Sequence, residues 1–342
     1  MNTNNSYWQF LAKTLCLAFI PLFLLFTYFY YDPFRVLYNH DNYNDNGVAK
    51  DADFISTELY KKNKARLHYD SFILGGSNVM AFCTQEWKKC IGENTSPFCY
   101  NANVESIYGI WAKVKYLDET GDIIKNVMLC MDWSTFRINT NSDETFLLKH
   151  PDISHEGMYK FQKQFLSLYF KKGFFIAFLD YTWTNKKRPY MAPYLEFRQF
   201  IRNTETNDLL WKTEEDEIKK DSLHFFKKKK FELFNSPPTD NKWSKQMIYD
   251  KEKQMLLDIA TIFKKHNTNY VVVLSPMTSR LKFNPADMKI VKQLFGEENV
   301  YDYSGTNAIT SNIGYWIDHT HFRSIAGNKI LSEIYSNKIR NP

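Results

Sequence analysis

Residues 15–31 form a run of seventeen positions without a charge, flanked or closed by Trp8 and the cluster Tyr28, Tyr30 and Tyr31. A helix needs about 20 mostly apolar residues to cross a bilayer, and with residues 8–12 the segment is long enough, its aromatics lying where the two interfaces would fall. The run ends in bulky rings and Asp32-Pro33, without the small-residue pattern of a cleavage site, so an uncleaved anchor is expected. Lys13 before the run and Arg35 after it nearly balance, and loop charge alone gives no orientation.

Beyond the anchor (residues 1–38), residues 39–46 are rich in Asn and Asp and read as a linker. Residues 51–66 then read as a solvated lead-in helix, closing a linker region of residues 39–68. The body, residues 69–342, opens with Tyr69-Asp70-Ser71-Phe72-Ile73-Leu74-Gly75-Gly76-Ser77-Asn78, a short apolar run that stops at two glycines and a serine. That pattern predicts a buried strand delivering Ser77 to a tight turn, at the carboxyl end of a parallel sheet, where ligands bind in doubly wound folds. A helix is expected over residues 78–87, strands over residues 98–101 and 123–131, and a helix between those strands. The alternation predicts an α/β body with a parallel sheet.

Residues 139–239 interrupt the rhythm and are expected to form an insertion or cap. Within it residues 161–183 are strongly apolar, yet Lys163, Lys171, Lys172 and Asp180 interrupt them, which favours over a second span an amphipathic helix pair, packed on the body by default or else lying at the membrane surface. Residues 227–230 are four lysines, most simply a solvated face, and Ser236-Pro237-Pro238 closes the insertion. The α/β pattern then resumes with a helix carrying Met255, Leu256, Ile259, Ile262 and Phe263. It continues through a strand at residues 270–274, a helix at 285–295, a strand at 300–303 and a last helix containing Ile330, Leu331 and Ile334.

Forty-four basic residues against 38 acidic ones give a formal charge of +6, too mild for a nucleic-acid partner in a chain of 342 residues. The five cysteines fit neither a disulfide framework nor paired zinc spacings, although Cys83, Cys90 and Cys99 are close enough for one bridge in an oxidising compartment. No metal or organic cofactor is implied.

A serine becomes a nucleophile when a base takes its proton, and the base works best when a carboxylate fixes its tautomer. Ser77, His321 and Asp318 supply those parts, because an Asp-x-x-His loop lets the carboxylate reach back to one ring nitrogen while the other faces the serine. Gly75-Gly76-Ser77 after the first strand, Asp318 and His321 before the last helix, the single anchor and Asp32-Pro33-Phe34 together resemble the SGNH (GDSL-like) hydrolase superfamily. The similarity is to its membrane-anchored branch, which includes D-alanyl-lipoteichoic acid transfer and polysaccharide O-acetylation proteins. The resemblance implies a three-layer, flavodoxin-like parallel sheet and an extracytoplasmic body. It also implies acyl transfer or ester hydrolysis on a cell-envelope glycan, beside a membrane-bound O-acyltransferase.

Such proteins commonly complete an oxyanion hole with a Gly amide and an Asn side chain. Here the corresponding stretches are Asn101-Ala102-Asn103-Val104-Glu105 and Met131-Asp132-Trp133, with an acid in each and no Gly. Asn78, Asn101 or Asn103 would have to compensate, since losing one donor can cost about 2.7 to 4 kcal/mol. A non-catalytic accessory that holds glycan or docks the acyltransferase is therefore the rival reading, and a lipase or thioesterase with the insertion as lid is a third. His319 is read as a bystander, Arg323 as the partner of an acid, and Asp132 as a strand-end cap or loop acceptor.

Overall fold

The structure, a computed structural model, describes residues 3–41, 43, 47–234 and 242–340. Part of the expected linker, Asn44-Asp45-Asn46, and the expected insertion end, Ser236-Pro237-Pro238, lie outside the described residues. The chain divides into two compact units, Met1–Lys50 with Gly157–Arg198, and Asp51–Glu156 with Gln199–Pro342.

The first unit is built on α1 (Thr3–Tyr31), the one helix among the described residues long and apolar enough to cross a membrane. Where α1 ends, the Asp32 carboxylate collects the backbone N–H groups of Val36, Leu37 and Tyr38 and the ring of His40, which turns the chain and buries Phe34. The expected amphipathic pair belongs to this unit, as α6 (Met158–Tyr169) and α7 (Lys172–Thr184). Both bury one face, Phe161, Phe165 and Tyr169 in the first and Phe174, Ala177 and Phe178 in the second.

The second unit is the α/β body. Its sheet comprises β1 (Ser71–Gly75), β2 (Pro97–Asn101), β3 (Asn126–Met131), β6 (Asn269–Leu274) and β7 (Val300–Asp302), all parallel, in the order β2-β1-β3-β6-β7. A two-stranded antiparallel ribbon, β4 (Phe200–Arg202) with β5 (Leu209–Trp211), stands apart. The order reverses beside β1, so a crevice opens at its carboxyl end, where Ser77 follows. Strands buried on both faces read as continuous apolar runs, and β1 and β3 are buried along their whole length. Ile73, Cys99, Met128, Val271 and Val273 form one face with Trp87 of α3 (Thr84–Ile91) and Ile330, Leu331 and Ile334 of α11 (Ser324–Arg340). On the other face Tyr60 of α2 (Ala52–Leu67) packs against Phe72, Phe98 and Tyr100. Next to it, α4 (Ile107–Glu119) packs on α9 (Asp250–Lys265), and α10 (Pro285–Phe295) packs on α9 in turn. The short helix α5 (Pro151–Ser154) meets α4, and α8 (Lys212–Phe234) follows the ribbon with a kink at Asp221.

Three expectations need correction. The lead-in helix is not solvated: α2 buries Phe54, Ile55, Leu59 and Tyr60 and belongs to the α/β unit, because its apolar stripe is interleaved with lysines confined to the outer face. The insertion is not one block, since only Gly157–Arg198 joins the anchor unit, while the ribbon and α8 stay with the body. No continuous helix follows Ser77. A 3-10 turn (Ser77–Ala81) comes first and α3 starts only at Thr84, whose N–H and hydroxyl are held by Asp208. Cys83, Cys90, Cys99 and Cys130 are free thiols, Cys99 being buried within β2.

Candidate active site

Two close backbone approaches build the site. A side chain at Gly75 would place its Cβ 2.6 Å from the Cys130 carbonyl oxygen, so only glycine lets β1 leave the sheet here. At Gly327 a Cβ would sit 2.1 Å from the Ala81 carbonyl, so glycine lets α11 press onto the turn that carries Ser77. The loop before α11 is thereby brought to the serine. It is pinned by the Trp316 indole Nε1–H donating to the Ile309 carbonyl (3.1 Å), by an antiparallel bridge between Trp316 and Phe322, and by the Ile317 N–H donating to the His321 carbonyl (2.8 Å).

Ser77, His321 and Asp318, expected from the order of their motifs along the α/β pattern, converge. His321 Nε2 lies 2.8 Å from Ser77 Oγ, and Nδ1 lies 2.8 and 2.9 Å from the two oxygens of Asp318. With Nδ1–H donating to the carboxylate, Nε2 carries the lone pair that faces the serine hydroxyl. Burial pushes the Asp318 carboxyl up, but the hydrogen bond and charge of His321 and the N–H groups of Thr320 and His321 outweigh it and hold the acid well below the usual carboxylate range. An ionised acid there keeps the imidazole in one tautomer and one orientation. Trp211, at the end of the ribbon, packs against the His321 ring with centroids 4.6 Å apart.

The neighbouring residues divide clearly. Asn78 sits on the same turn as Ser77 and its amide points to Asp132 (Nδ2 to Oδ2, 3.5 Å). Asp132 itself caps the 3-10 turn Trp133–Arg137, accepting from Ser134 N (2.7 Å) and Ser134 Oγ (2.5 Å), the strand-end role expected for it. Asn101 ends β2, paired in register with Gly75, and its Oδ1 accepts from Asn207 (3.0 Å), so its side chain supports the turn at residues 203–208. Asn103 is half-buried in the loop between β2 and α4. Arg323 pairs with an acid, as expected, donating from Nε and Nη2 to the two Glu215 oxygens (2.8 and 2.7 Å). His319 is exposed and touches Thr278 only through its carbonyl.

Sequence reasoning missed what holds the loop at residues 102–105. Glu105 is buried between Lys113 Nζ (2.6 Å) and Lys149 Nζ (2.6 Å), and Lys113 also reaches Asp53 (2.8 Å). Charges this deep survive only when paired, and the pairing fixes the loop. Glu105 N lies 3.3 Å from where a Gly76 Cβ would be, so the fixed loop borders the serine turn. Val104 in that loop has φ +43°, a left-handed conformation natural to glycine and rare for a β-branched residue. The signal available in sequence was the pair Glu105 and Lys113, eight residues apart across a helix start.

A cavity of about 250 Å³ adjoins the His321 loop, walled by Met80, Ile201, Leu210, Trp211 and Phe322 with the Arg323–Glu215 pair at its edge. A larger one of about 550 Å³ lies between α3 and α11, and neither cavity is lined by Ser77, His321 or Asp318. Among the described residues no group of three or more His, Cys, Asp or Glu side chains is arranged to hold a metal ion. Neither a protein-family profile nor a curated protein sequence matches the chain.

Proposed function

We propose that the protein is a membrane-anchored serine acyltransferase or esterase of SGNH type, with a three-layer body outside the cytoplasm, acting on acyl groups of a cell-envelope polysaccharide. The observation that carries this reading is the relay from Asp318 through His321 to Ser77 at hydrogen-bond distances, at the carboxyl end of a central parallel strand. Ser77 Oγ attacks the acyl carbonyl while His321 Nε2 takes its proton. The new C–O bond turns the carbonyl into a tetrahedral oxyanion, which collapses by breaking the bond to the donor as His321 gives its proton to the leaving oxygen. A glycan hydroxyl or water, deprotonated by the same nitrogen, then attacks the acyl carbon, and the proton returns to Ser77 Oγ as its bond to the acyl group breaks. Ser77 and Asn78 open the 3-10 turn, where the first N–H groups lack partners within the turn, and these groups would be the donors to a developing oxyanion. The mostly apolar cavity beside Trp211 suits the acyl substituent. A membrane-bound O-acyltransferase is the proposed source of acyl groups.

One observation favours a second reading. The Asp132 carboxylate beside Asn78 stands where a hydrogen-bond donor would serve catalysis better, as in an accessory protein that binds glycan or docks the acyltransferase. Labelling with a fluorophosphonate separates the two. Wild type is expected to label, while Ser77→Ala and His321→Ala do not; a folded wild type that stays unlabelled points to the accessory.

A further inference from the structure

We propose that Gly157–Arg198 seats the anchor unit on an anionic bilayer: the Trp183 end of α7, with Lys186, Lys187 and Arg188, lies in the phospholipid headgroup layer, level with the turns of α1 that follow Leu24. Two independent observations carry this, and neither depends on Ser77 being a nucleophile. The first is charge. The segment holds eight basic and two acidic residues, a net +6 that equals the excess of the whole chain, so the remaining residues balance at 36 against 36. Lys163, Lys171, Lys172, Lys186 and Lys187 are exposed. Clustered cations beside a membrane helix are attracted to anionic headgroups.

The second is depth. α7 runs antiparallel to the end of α1: Phe174 stacks on Phe34, Phe178 meets Tyr31, and Trp183 reaches Phe23 while its N–H donates to the Tyr31 hydroxyl (3.1 Å). Tyr169 of α6 completes the collar with a hydrogen bond to Thr27 (2.8 Å) and a ring contact with Tyr28. Thr27 and Tyr28, on the side facing α6 and α7, are consequently covered by protein, whereas Phe26, Phe29 and Tyr30 on the other side of the same turns are open on the surface, as Leu17, Phe19, Ile20 and Leu22 are before them. The stretch from Tyr7 to Leu24 is about 18 residues, or about 27 Å at 1.5 Å per residue, close to a bilayer's hydrocarbon thickness. Tyr7 and Trp8 then mark one interface, and exposed Trp183, Tyr190 and Tyr194 mark the other. Lys13 leans toward the N-terminal interface, the direction in which helical side chains point.

The full chain in lipid bilayers tests the assignment. With phosphatidylcholine brominated high on its acyl chains, tryptophan emission is expected to be quenched by a component that Trp183→Phe lacks, and bromine near the chain ends removes that difference. On nanodiscs containing phosphatidylglycerol, amide exchange over residues 183–191 should be slower than on phosphatidylcholine alone. Lys186→Gln with Lys187→Gln should abolish about 25-fold of that protection, about fivefold per charge, while exchange in the α/β body stays unchanged as a control for folding. Equal quenching of wild type and Trp183→Phe, or equal exchange on the two lipids, overturns the proposal. So does equal protection by dextran sulfate in detergent, which would mark a glycan-binding surface instead.

Discussion

Asp51 is the residue whose replacement tests the buried charge cluster most directly. Three acids, Asp51, Asp53 and Glu105, share that cluster with two bases, Lys113 and Lys149, so one proton is needed for balance. The structure gives it to Asp51: burial, and then the neighbouring charge of Asp53, push its carboxyl up to about 7. In the unfolded chain it titrates near 3.9. Between those values the folded state holds a proton that the unfolded state has lost, so stability falls as pH rises from about 4 to about 7. Three units at about 1.36 kcal/mol each make the loss about 4 kcal/mol. Asp51→Asn removes the titration and keeps the cap on the Phe54 N–H, since Asn serves at that position as well as Asp. Urea unfolding of the detergent-solubilised full chain, followed by tryptophan emission, should give matching stabilities near pH 4 and a variant more stable by about 4 kcal/mol at pH 8. Other titrating groups are common to both proteins and cancel in the difference. Parallel stability curves for the two proteins between pH 5 and 8 would refute the proton assignment.

Lys113→Met leaves Asp53 and Glu105 with Lys149 as their one remaining buried cation, and should cost about 3 to 5 kcal/mol in the same unfolding assay. Val104→Gly relieves a left-handed φ at an exposed position and should raise stability by about 1 kcal/mol, the backbone strain removed exceeding the entropy added to the unfolded chain. Asp318→Asn keeps the site's shape but releases the His321 tautomer, so the rate of fluorophosphonate labelling should drop by about 10⁴ with thermal stability at neutral pH little changed. Because the Asp318 carboxyl is held low in the folded state, whatever stability it adds is present at neutral pH and is lost as the solution is acidified below the ordinary carboxylate range.

Short buried strands were the most legible part of the chain, since β1, β3 and β6 are apolar runs that end at Gly, Asp and Ser. The convergence of Ser77, His321 and Asp318 was legible as well, because the Asp-x-x-His offset is local and Gly75-Gly76 marks the turn. What failed was anything depending on which surface an amphipathic segment covers. α2 carries Lys61, Lys62 and Lys64 and looks solvated when its charges are counted, yet the opposite stripe of Phe54, Ile55, Leu59 and Tyr60 buries against the sheet. The same ambiguity hid the division of the insertion, whose α6–α7 pair is apolar enough for either unit. Pairings such as Glu105 with Lys149, 44 residues apart, are set by tertiary packing and leave no periodic trace.

That packing bears on the two departures from the resembled pattern. The loop where glycine is customary still takes a glycine-like turn at Val104, and the neighbouring Glu105, anchored on two buried lysines, is what keeps a β-branched residue there. The acid where an asparagine is customary is spoken for in a similar way. Asp132 Oδ1 accepts two bonds from Ser134, its N–H donates to Thr135 Oγ1, and Oδ2 faces the Asn78 amide. A carboxylate satisfied by its own turn contributes less unfavourable field at Ser77 than an open one, because its donors' dipoles oppose its charge. The residue next to Ser77 that can donate is then Asn78, on the same turn and with its amide directed at Asp132.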